Sequence, residues 1–177
     1  MKKISLCIAL ILISLILFVA VPIVMAAIDA SHNVNIEVTN GVNIAVGNDV
    51  TLSLQVAEAP GDPIPAATAS SDISYSAIKI GPTNRAITLE VDIAGDSVPV
   101  GMILSVAASA PVGSGEMGTE QGTLSMVNTT VNAGTLITGI GTCWATAALD
   151  YEVEITDLNE TFVPVTTVVL KYTMIDL

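Results

Sequence analysis

Apolar side chains recur at every second position over most of this sequence, and that period limits what it can fold into. Val34, Ile36 and Val38 alternate with Asn33, Asn35, Glu37 and Thr39; Val42, Ile44 and Val46 follow, then Val50, Leu52, Leu54 and Val56. Period 2 marks a half-buried strand, whose successive side chains point to opposite faces. All these apolar positions are even-numbered, so a two-residue Asn40-Gly41 hairpin would put the two apolar sets on opposite faces. Two arrangements keep them together. Either a three-residue Thr39-Asn40-Gly41 turn, with Gly41 at positive φ, pairs Val38 with Val42 and Ile36 with Ile44, or residues 33–46 form one extended strand with a single apolar edge.

The rest of the chain keeps the same period. Residues 57–71, with prolines at 60, 63 and 65, read as a loop. A hairpin is expected next: Ile73 to Ile80, a turn at Gly81-Pro82-Thr83-Asn84, then Arg85 to Ile93 with Ile87, Leu89, Val91 and Ile93 on one face. Residues 102–108 form a strand, 111–122 a Gly-rich loop, and 123–128 and 134–139 shorter strands. Leu149, Tyr151, Val153 and Ile155 alternate with Asp150, Glu152 and Glu154, and residues 162–175 close the chain as a long apolar strand with Pro164 at its start or edge. Eight to ten strands, with no 3.6-residue apolar period between them, argue against a βαβ architecture. They indicate an all-β antiparallel β-sandwich, immunoglobulin-like or jelly-roll, preceded by an N-terminal signal helix.

That signal is read from the first residues. Met1-Lys2-Lys3 is a short basic start, and Ile4 to Val21 carries no charge before Pro22 and Val24-Met25-Ala26-Ala27. This is the plan of a secretory signal peptide, with cleavage after Ala26 and Ala27 next best, giving a signal at 1–26. The competing reading is an uncleaved anchor, since the apolar run exceeds the roughly 20 residues that span a bilayer. Either way the remainder faces outward and meets the membrane only through this segment. The expected organisation is then an extended strand at 27–47 and a sandwich domain at 48–177.

Charge narrows the function. The 177 residues hold 17 acidic side chains against 5 basic ones, and removing the signal leaves Lys79, Arg85 and Lys171 as the only bases. Such a surface repels phosphate backbones, which excludes nucleic acid as a partner. Enzyme motifs are sparse. His32 is the only histidine and sits close to the expected new N-terminus; Cys143, beside the only tryptophan, has no neighbouring base and reads as a small buried hydrophobe. One His and one mature Cys do not make a zinc site, and no cofactor is expected. For calcium the candidates are Asp150, Glu152 and Glu154 on one strand face, about 7 Å apart, with Asp157 in the next turn. A solvated sheet face explains the same alternation. Gly113-Ser114-Gly115-Glu116-Met117-Gly118 has a GxGxxG spacing but precedes no helix. Asn128 and Asn159 each open an N-glycosylation sequon.

The alternating strand, the Pro/Ala/Ser spacer, the stretch Thr68-Ala69-Ser70-Ser71-Asp72-Ile73-Ser74-Tyr75 and the closing Val168-Val169-Leu170-Lys171-Tyr172-Thr173 resemble exported pilin-like subunits. These include alpha-type and CFA/I-like fimbrial major subunits and archaeal surface-thread subunits. The resemblance implies donor-strand exchange, in which Val34, Ile36, Val38, Val42, Ile44 and Val46 are the donated side chains and the partner is another copy. The expected function is therefore an exported structural subunit of a filament or surface layer at the cell surface, and not an enzyme. The alternative is a monomeric surface module that binds calcium or a glycan.

Overall fold

The structure, a computed structural model, describes residues 34–92, 97–127 and 134–177. Two compact units are distinguished, Met1–Glu37 and Val38–Leu177; only residues 34–37 of the first are described. The expected signal helix and its cleavage site at Ala26 and Ala27 lie outside the described residues.

The second unit is all-β, with no helix among the described residues. Its strands are β1 (Gly41–Val46), β2 (Ala67–Ile78), β3 (Arg85–Val91), β4 (Met102–Ala108), β5 (Val112–Gly115), β6 (Thr119–Glu120), β7 (Thr123–Met126), β8 (Gly134–Ile140), β9 (Cys143–Ile155) and β10 (Leu170–Asp176). They make two antiparallel sheets, one in the order β1-β2-β9-β4-β7 with β5 also paired to β9, the other β10-β3-β8-β6. The two sheets share one core, consistent with a β-sandwich. Ile73, Tyr75, Leu149 and Val106 enter it from the first sheet and Ile87, Leu89, Leu136 and Ile140 from the second.

The longest strand shows how the sequence imposes this. In β9 the inward positions Cys143, Ala145, Ala147, Leu149, Tyr151 and Val153 are buried, and every outward position from Trp144 to Glu154 is exposed. A strict two-residue period allows only one register with the core. Accordingly β9 pairs with β2 from Ala67↔Val153 to Ala77↔Cys143 without a slip.

Three expectations change. Residues 67–71, read as loop, begin β2, because the Ala/Thr/Ser run finds a full set of backbone partners on β9. The expected hairpin across Gly81 to Asn84 does not form: β2 and β3 belong to different sheets, so the turn is a bridge between layers. Both strands bury an apolar face, which local alternation shows, but alternation carries no information on whether two such strands pair or stack. The Gly-rich loop also contains two strands: β6, paired with β8, and β5, laid against the β9 end at Val112↔Thr146 and Gly115↔Cys143. A Cβ on Gly113 would meet the Trp144 carbonyl oxygen at 2.1 Å, and one on Gly115 the Thr142 carbonyl oxygen at 2.2 Å. The glycine spacing serves close strand approach.

The ends of the expected strands fray too. Residues 50–54 form no strand, although Val50, Leu52 and Leu54 pack against the core, and of the expected 162–175 strand only the part from Leu170 on joins a ladder, which runs one residue further to Asp176.

Candidate functional site

The chain's first apolar alternation divides in two. Val42, Ile44 and Val46 lie on β1, which pairs with β2 of the same chain through Val42↔Ala77, Ile44↔Tyr75 and Val46↔Ile73. Opposite buried partners, all three point to the core side of the sheet. Val34, Ile36 and Val38 precede the strand, form no ladder, and are 69%, 84% and 59% exposed. Gly41 has no positive φ, so the Thr39-Asn40-Gly41 hairpin is not formed.

The division coincides with a cluster at Arg85, the one buried charged residue among the described residues. Its guanidinium donates to the Asp176 carboxylate at 2.8 Å, to the Ile78 carbonyl at 3.2 Å and to the Asn40 side-chain carbonyl. Those partners belong to the C-terminal end of β10, the end of β2 and the residue just before β1. One planar fork thus joins the two sheets at a corner. Asn40, Gly41, Val42, Arg85, Met174 and Asp176 line a cleft of about 210 Å³ there.

On this side both sheets end, in β1 and in β10. The inward side chains of β10, Leu170, Tyr172 and Met174, are only half-buried, as is Ile44 of β1, while Val42 and Val46 are 50% and 41% exposed. At the opposite margin Met126 of β7 is fully buried and Leu124 half-buried. The core is therefore only partly covered where these two edge strands present unpaired backbone, the condition under which another strand can add to a sheet.

Polar groups tie the layers together behind this edge. The Tyr151 hydroxyl on β9 and the Tyr172 hydroxyl on β10 share a 2.8 Å hydrogen bond across the core, and the Tyr75 hydroxyl donates to the Met117 carbonyl at 2.6 Å. Burial pushes all three tyrosines above their ordinary value; the Tyr151–Tyr172 bond further raises Tyr172 and partly offsets the shift of Tyr151. Burial also raises the Cys143 thiol, which moves it away from a reactive thiolate.

The carboxylates expected for calcium do not converge. Asp150, Glu152 and Glu154 stand at successive outward positions of β9, where Ser70 donates to Asp150 at 2.8 Å. Asp157 accepts from the backbone and side-chain amides of Asn159, and these bonds hold its carboxyl below the usual range. Among the described residues no three His, Cys, Asp or Glu side chains gather as a metal site. The acids are spread along a strand because that strand's period puts them on one solvated face. Of the two sequons, Asn159 is exposed in the turn after β9, and Asn128 lies outside the described residues.

Sequence reasoning missed Arg85 and Asn40, since nothing local marks residues 45 positions apart as partners. It also left Trp144 without a role, although the inward parity of Cys143 already requires its neighbour to face out. No protein-family model matches the chain, and neither a curated protein nor a solved structure matches it.

Proposed function

We propose that this chain is an exported structural subunit of an extracellular filament or surface layer, assembling by β-strand donation between copies. In this reading the sandwich is of immunoglobulin or jelly-roll type. The alternating Val34, Ile36 and Val38 of one copy extend the sheet of another along the under-covered β1/β10 side. Backbone hydrogen bonds supply affinity, and the three alternate side chains set the register. The observation that carries the reading is the exposure of Val34, Ile36 and Val38 immediately before a strand whose own apolar residues already serve its own core. An alternating apolar segment left in water is costly unless something covers it, at roughly 25 cal/mol per Å² of apolar surface.

The acidic surface fits the same picture. Like charges discourage face-to-face clumping of subunits, while backbone pairing at an edge is indifferent to them. Secreted protein lacking residues 1–26 should form multimers that resist SDS and appear as threads by negative-stain microscopy. Deleting residues 34–38 should leave a folded monomer. A protein that remains strictly monomeric with those residues present would overturn the proposal.

A further inference from the structure

Trp144 is the only tryptophan in the chain, and it is 64% exposed. It is not on a loop. It stands on the outward face of β9, where the strand is held by β2 on one flank and β5 on the other. The register sets Ser76 of β2 and Ser114 of β5 directly opposite it, about 5 Å away on each side. Thr142 and Thr146 lie two positions before and after it, at about 7 Å. All four hydroxyl residues are exposed; the Thr142 hydroxyl also accepts from the Lys79 backbone amide at 3.0 Å and the Thr146 hydroxyl shares a 3.1 Å bond with Ser74, which leaves each with further hydrogen-bonding capacity. Two apolar side chains, Val112 at 75% and Ile78 at 43% exposure, flank the group.

The charge around the ring is as informative as the ring. Asp72, opposite Ala148, and Asp150 lie four and six positions along the face, roughly 13 and 20 Å from Trp144. Glu116, nearer by, has its carboxylate 3.8 Å from the Lys79 ammonium. The indole thus sits in a neutral, hydroxyl-lined field with acidic ground beyond it. A cation would find no unpaired carboxylate beside the ring, and the acidic surroundings repel polyanions. A second copy laid face to face would bring Asp72, Asp150, Glu152 and Glu154 against acids of the same face, which costs energy.

We propose that this face binds a neutral polysaccharide, with one sugar ring stacked on the Trp144 indole. The apolar C–H face of a pyranose matches the ring, and its hydroxyl rim meets Ser76, Ser114, Thr142 and Thr146. Hydroxyls both donate and accept, so they pair with hydroxyl ligands in either sense. The two-sided pairing of β9 pre-organises the platform, which lowers the cost of binding. The site is on a sheet face, apart from the sheet edges invoked for assembly, and stands independently of strand donation.

Having one tryptophan makes the test direct. Titrating the protein with chitohexaose, cellohexaose, xylohexaose or mannohexaose should give a saturable change in tryptophan emission with at least one of them. By calorimetry Trp144→Ala should weaken that binding by at least about tenfold with Tm unchanged. Trp144→Phe should retain part of the affinity, and Ser76→Ala with Ser114→Ala should lose severalfold. No saturable response to any of the four sugars would overturn the proposal, as would sugar binding that survives Trp144→Ala. It would be overturned equally if Trp144→Ala abolished binding to phosphatidylcholine vesicles or dissociated a dimer while no sugar bound, since the face would then serve a membrane or a second copy.

Discussion

At the scale of single residues, Arg85 shows how burial sets the value of an ion pair. Its side chain is 6% exposed while that of Asp176 is 68% exposed, so the two partners are not equivalent. Replacing Asp176 with Ala removes a solvated group but leaves a buried guanidinium with its Ile78 and Asn40 acceptors and no counter-charge, and a buried charge without its opposite costs more than a lost surface pair. We expect Asp176→Ala to destabilise the fold by about 3 kcal/mol in urea unfolding, close to the cost of Arg85→Ala. A loss below about 1 kcal/mol would mean the pair behaves as a surface contact. The Lys171–Glu90 pair, at 2.9 Å but with side chains 55% and 34% exposed, should matter less when Glu90 is changed to Gln. The sequence shows Arg85 only as a basic residue at the start of a strand. Its importance comes from Asn40, Ile78 and Asp176, which reach it from three separate segments.

Among the elements, β1 and β9 make opposite points about legibility. The second half of β9, from Leu149, is legible because apolar and acidic residues alternate there; the first half, Cys143 to Ala148, keeps the same parity but alternates Ala with Trp, Thr and Ala, too weak a contrast to mark a strand. For the first alternation the even parity was legible and correct for β1, whose Val42, Ile44 and Val46 do face the core side. What parity could not give was the partner: β1 pairs with a strand about 30 positions later in the chain, across a Pro-containing segment. This leads to a prediction about the element itself. Removing residues 34–38 should leave Tm within about 2 °C, since the lost side chains are exposed and outside any ladder. Extending the deletion through Val46 should lower stability by about 2–5 kcal/mol, because it uncovers Tyr75 and Ile73 beneath β1. Circular dichroism melts of the two truncations separate these outcomes. If both melt alike, β1 contributes nothing in its own chain.

For the molecule as a whole, all three tyrosines of the chain are buried or half-buried and hold their protons above the ordinary value of 10.0. In the unfolded chain they ionise near that value, so above it the unfolded state binds fewer protons than the folded one. Their contribution to stability is therefore complete below pH 10 and declines as pH rises beyond it, by up to roughly 1.4 kcal/mol per pH unit for each tyrosine. Alkaline unfolding should be cooperative, with tyrosinate absorbance rising together with the loss of sheet signal. Tyrosines that titrate near 10 while the sheet signal persists would contradict their burial in the fold.

The sequence by itself determined the class of fold and the faces of its strands. A two-residue apolar period is a local property of an extended backbone, broken only where the register shifts, as β3 does against β8 at Arg85/Ala86 and Ile87/Thr88. It also determined that the outer surface is acidic, because the charged residues occupy the polar phase of that same period. Only the tertiary structure decided which strands pair and which stack, sending β2 and β3 to different sheets where local pattern suggested a hairpin. Only it brought Asn40, Arg85 and Asp176 to one corner and set Trp144 among four hydroxyls. Such neighbours come from distant segments that backbone ladders bring side by side, and those ladders are blind to side-chain identity, so the local pattern does not announce which side chains will meet.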